Sequence, residues 1–79
     1  MRLHELKKDT PAQIIAIDAL DAELEDKLRE IGFAEGDDIE IIHFGPLATK
    51  KKPICARLNQ TLIALREDEA AAIHVEIAS

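Results

Sequence analysis

The sequence predicts a mainly β fold: a small barrel of about five short strands with one α-helix and a short helical turn. Three observations predict it. Aliphatic residues recur in brief alternating stretches, the pattern of half-buried strands. Only one segment carries apolar residues at helical spacing. With 79 residues the chain makes a single domain, 1–79, too short for two hydrophobic cores.

The first apolar pair is Leu3 and Leu6, in an otherwise charged segment, and Thr10-Pro11 punctuates the chain after it. Ala12 to Ile17 is short and β-branched, which predicts a strand buried on much of both faces. Asp21 to Gly32 is the helix. Asp21 can cap its first turn, and Glu23 adds negative charge near the positive dipole end. Leu24, Leu28 and Ile31 fall on one face, expected to plug or flank one open end of the barrel, while Glu23/Lys27 and Glu25/Arg29 stand at the i, i+4 spacing that favours ion pairs. Gly32 supplies the residue that ends the helix, and Phe33 follows as an anchor into the core.

Gly36-Asp37 turns the chain into Asp38 to Phe44. There Ile39 and Ile41 share one face and Ile42 and Phe44 the other, a change of phase that predicts a bulge or bend where one strand serves both halves of a barrel. Gly45-Pro46 breaks this strand, and the loop beyond it ends in Lys50, Lys51 and Lys52. Ile54, Ala56 and Leu58 alternate with Cys55 and Arg57; Asn59-Gln60 makes a tight turn; Thr61 to Leu65 returns as the partner strand. Glu67 to Ala72 suits a single helical turn, and Ile73, Val75 and Ile77 alternate as the last strand.

Composition narrows the function. A net charge of −6 with only two aromatics, Phe33 and Phe44, argues against nucleic-acid binding, which leans on Lys and Arg at phosphates. The apolar runs are far too short to span a bilayer, and Met1 to Glu5 does not lead into a secretory signal, so a cytoplasmic location is expected. The single Cys55 excludes an intrachain disulfide. His4, His43, His74 and Cys55 lack the spacing of metal ligands and read as unrelated surface or edge residues, so neither metal nor cofactor is expected. Asp37-Asp38 and Glu67-Asp68-Glu69 follow a turn glycine and open a helical turn, structural places for carboxylates. No phosphate loop or nucleophile elbow occurs, so no catalytic residue is assigned.

Leu3-x-x-Leu6, Ala12-x-Ile14-x-x-Ile17 and Leu28-x-x-Ile31-Gly32-Phe33-x-x-Gly36-x-x-Ile39-x-Ile41-Ile42 resemble the first half of the ferrous iron transport protein A family. Gly45-Pro46-Leu47, Pro53-Ile54, Ile63 to Arg66, Glu69-Ala70 and Ile73-x-Val75 resemble its second half. The resemblance implies an SH3-like barrel, and a non-catalytic cytoplasmic accessory that binds the membrane GTPase of ferrous iron uptake, ferrous iron transport protein B. The alternative it implies is a free-standing relative of the C-terminal domain of iron-dependent repressors, acting in metal-responsive regulation. Asp9 stands where the family commonly shows glycine, Asn59-Gln60 replaces a glycine-bearing turn, and the lysine loop is more basic than the family pattern.

The expected partner surface is a cleft between the helix and the loop from Gly45 to Pro53, with Phe44, Leu47 and Phe33 as apolar contacts. Lys50, Lys51 and Lys52 would steer an acidic partner; they fall short of the roughly four to eight basic residues that mark lipid recognition. Nothing in the sequence specifies an oligomeric state.

Overall fold

A computed structural model of the chain describes residues 1–44 and 53–78. A short 3-10 turn, Leu3–Glu5, precedes β1 (Ala12–Ile17), α1 (Ala22–Ile31), β2 (Asp38–Phe44), β3 (Ile54–Leu58), β4 (Thr61–Leu65), α2 (Glu67–Ala71) and β5 (Ile73–Ile77). The strands form one antiparallel sheet in the order β4-β3-β2-β1-β5. Its inner face closes over the core, and among the described residues its two outermost strands are not paired with each other.

The phase change in β2 is a bulge. Asp38 and Ile39 pair with β1, Ile39 to Phe44 pair with β3, and the register shifts between Ile41 and His43. One strand therefore turns from one half of the barrel to the other. A second shift, between Ile14 and Ala16, bends β1 against β5. Ile14 is buried there and Ile15 half exposed, so β1 is not buried on both faces. Double-sided burial needs a layer on each side, and this single curled sheet offers its outer face to water.

Asp21 caps α1, its Oδ1 accepting the Leu24 N–H at 2.8 Å. Gly32, at φ +121°, ends the helix. Its N–H donates to the Arg29 carbonyl and the Phe33 N–H to that of Leu28, a Schellman arrangement in which Phe33 and Leu28 are both buried. Leu28 is the fully buried residue of the helix and Leu24 packs at the core margin, whereas Ile31 is 39% exposed and does not join the plug.

Local backbone demands account for two of the sequence's departures from the family pattern. Asp9 sits at φ +62°, a left-handed conformation that glycine adopts freely and that aspartate tolerates. Asn59 sits at φ +55° in the β3–β4 turn, where its Oδ1 accepts the Asp38 N–H at 3.2 Å and its N–H donates to the Asp38 carbonyl at 2.8 Å. The hairpin turn is thereby tied to the start of β2.

Candidate functional site

The surface expected to meet a partner lies where β2 ends and β3 begins. Phe44 closes β2 with its backbone paired to Ile54. Leu47, Lys50, Lys51 and Lys52 lie outside the described residues. Phe33 does not belong to the surface: it is 1% exposed, drawn into the core by the helix-ending turn. The same register sets His43 directly opposite Cys55 on neighbouring strands, His43 exposed and Cys55 half buried. Sequence spacing hid this pair, because the two residues are joined through a loop whose length does not reveal the register.

At the other end of the sheet an open groove of about 290 Å³ crosses β1, β2 and β3, lined by Pro11, Ala12, Asp38, Ile39, Glu40, Arg57, Asn59 and Ala78. Arg57 and Glu40 are register partners, and Arg57 Nη1 donates to Glu40 Oε1 at 2.6 Å. The groove thus presents an ion pair on the sheet surface and not an isolated charge.

In the two carboxylate clusters, Glu69 and Asp37 make structural contacts. Glu69 is the one buried charged residue among the described residues, at 5% exposure. Its Oε1 accepts the Arg66 N–H at 2.8 Å at the start of α2, and its Oε2 meets Lys27 Nζ at 2.6 Å. Burial alone would raise its pKa; the Lys27 ammonium and the Arg66 N–H outweigh it and hold the carboxyl below the usual glutamate range. Lys27 therefore reaches across to α2 and does not make the expected pair with Glu23, while Glu25 and Arg29 do pair, at 3.1 Å. Arg29 also spans both oxygens of Glu35, at 3.2 and 3.3 Å, which holds the Glu35 carboxyl low. Asp37 Oδ2 accepts the Ala34 N–H at 3.1 Å, closing the turn into β2. Glu5, whose carboxylate takes the Arg2 N–H at 2.7 Å, is likewise lowered. Each perturbed carboxyl thus moves away from the raised value a proton-donating catalytic group needs.

No group of three or more His, Cys, Asp or Glu side chains among the described residues is placed to hold a metal ion. Of the histidines, His74 Nε2 lies 3.6 Å from Asp18 Oδ2 and His4 sits on the 3-10 turn. No helix among the described residues is long and apolar enough to cross a membrane.

The strand order, the bulged β2 and the half-open sheet define an SH3-like domain. A family model for the FeoA domain matches residues 1–77, and the chain belongs to the FeoA family, which is associated with ferrous iron transport. No curated protein matches it. Among solved structures it is similar to iron(II) transport protein A of Clostridium thermocellum, at 35% identity and TM-score 0.83, covering 98% of this chain and 45% of that one. It is also similar to FeoA of Chlorobium tepidum, at 29% identity and TM-score 0.83, covering 100% and 71%. The zinc-complexed FeoA of Stenotrophomonas maltophilia is 31% identical with TM-score 0.80, covering 96% and 89%. That protein is described as a prokaryotic SH3 domain protein, for which a role as a ferrous iron transport activating factor has been suggested. The chain spans less than half the length of the Clostridium protein.

Proposed function

We propose that this chain is a non-catalytic cytoplasmic accessory of bacterial ferrous iron uptake, and that it binds the cytoplasmic part of the membrane GTPase, ferrous iron transport protein B, and modulates its cycle. The observation that carries this reading is the FeoA family match across residues 1–77. The open groove, whose charged lining includes the Arg57–Glu40 ion pair, fits a contact role.

The test is titration calorimetry of the full chain with the purified GTPase domain of the transporter from the same organism. One-to-one binding is expected, with affinity falling as salt rises because the lysine loop steers the encounter. The triple substitution Lys50→Ser, Lys51→Ser and Lys52→Ser weakens binding and flattens the salt dependence. Absence of binding at protein concentrations of about 100 μM, well above a micromolar Kd, overturns the proposal. Binding that is salt-independent and indifferent to the triple change removes the loop from the mechanism.

A further inference from the structure

The pairing of β2 with β3 sets His43 directly opposite Cys55. Opposite residues of an antiparallel pair share a face, with their Cβ atoms about 4.5–5.5 Å apart. That face is the outer one: Ile41, Ala56 and Ile54 beside the pair are buried in the core, whereas His43 is exposed and Cys55 half buried. The bulge is responsible. Strict alternation from Ile41 would turn Ile42 outward and His43 inward, and the register shift between Ile41 and His43 returns His43 to the side of Cys55.

An imidazole and a free thiol are donors that suit soft, late metal ions. Bonds of about 2.3 Å to sulfur and about 2.0 Å to nitrogen hold such donors at most about 4.3 Å apart, within reach of two side chains at facing positions. The number of donors narrows the ion. Among the described residues no third His, Cys, Asp or Glu is placed to complete a metal site. The segment 45–53 that links the two strands contains no His, Cys, Met, Asp or Glu. On its other side Cys55 faces Ala64, and the neighbouring Glu40 is tied to Arg57 at 2.6 Å. A structural zinc site takes four protein ligands, so two leave it half built. Monovalent copper is satisfied by two donors in line, and one thiolate balances its single charge.

We propose that His43 and Cys55 form a two-coordinate site for a monovalent, thiophilic metal ion, copper(I), on the outer face of β2 and β3. Binding forms one bond from sulfur and one from an imidazole nitrogen and releases the thiol proton to solvent; no electron is transferred. Iron(II), harder and lower in the affinity series for such donors, gains less from this pair. The inference stands on the strand register alone and does not need the transporter reading.

The test uses the full chain, reduced and kept free of oxygen, titrated with copper(I) as its acetonitrile complex against bicinchoninate as competitor. One-to-one binding is expected, with a thiolate-to-copper absorption band in the ultraviolet and shifted nuclear magnetic resonances of the His43 ring. Cys55→Ser abolishes the band, and His43→Gln weakens binding at least about tenfold. Both residues lie outside the buried core, so both variants keep the fold. His74→Gln binds copper(I) as the parent does, and equimolar zinc or iron(II) leaves the band unchanged. A band retained by Cys55→Ser, indifference to His43→Gln, one copper per two chains, or displacement by equimolar zinc each overturn the proposal.

Discussion

Replacing Glu69 by Ala tests how α1 is held to α2. The carboxylate performs two tasks at once, accepting the Arg66 N–H at 2.8 Å and meeting the Lys27 ammonium at 2.6 Å from a nearly buried position. Losing the cap hydrogen bond costs about 1 kcal/mol, since the Arg66 N–H is left without its partner. Losing the ion pair costs a further 0.5–1 kcal/mol or so; the Lys27 side chain is 54% exposed and water takes over much of its solvation. The sum, about 1.5–2 kcal/mol, corresponds to a Tm lower by roughly 6–16 °C for a domain of this size. The assay is urea and thermal unfolding by far-ultraviolet circular dichroism, as the chain has neither Trp nor Tyr. Glu69→Gln keeps an oxygen for the Arg66 N–H and should lose about 1 kcal/mol or less. The pH dependence supplies a second reading. The folded-state value lies below the unfolded one, so the carboxylate's contribution is fully present above the ordinary glutamate range near ~4.3. It is lost as pH falls through the folded value, and the gap between parent and Glu69→Gln should close in that acidic window. A Glu69→Ala protein within about 0.5 kcal/mol of its parent would refute the whole account of this residue.

The remaining predictions concern packing and backbone. Leu28→Ala should cost about 2–4 kcal/mol in the same unfolding assay, while Ile31→Ala, at a half-exposed position on the same stripe, should cost less than about 1 kcal/mol. Gly32→Ala should cost about 1–2 kcal/mol from its positive φ alone, because an added Cβ would meet only Leu58, at an ordinary 3.9 Å. Asn59→Gly should lose up to about 1 kcal/mol with the Asp38 hydrogen bond; Asn59→Ala should lose about 1 kcal/mol more, for the left-handed backbone, as seen in chemical denaturation.

Much of the fold was legible along the chain because its signals are local. Asp21 and Gly32 mark helix ends that hydrogen bonds within a few residues enforce. The phase change from Ile41 to Ile42 announced the bulge in β2, since side-chain alternation is a direct record of which face each residue takes. Ile15 and Ile31 were misplaced for a shared reason: hydrophobicity reports what can be buried, and only the number of packed layers decides what is. Lys27 was assigned to Glu23, one helical turn away, when its partner sits more than forty positions along the chain. Of the residues expected at the partner surface, Phe33 was turned inward by the helix-ending glycine, and Phe44 was placed at the end of β2.

By itself the sequence determined the five strands, the two α-helical segments and their order, and the ends of α1 at Asp21 and Gly32. Only the tertiary structure decided that His43 faces Cys55, that Glu69 is buried against Lys27, and that the N-terminal residues pair with β5. The physical reason is the range of the interactions. Alternation, capping and turn geometry act over a few residues, whereas a strand's hydrogen-bond partner comes from distant parts of the chain and is chosen by the closure of the whole sheet.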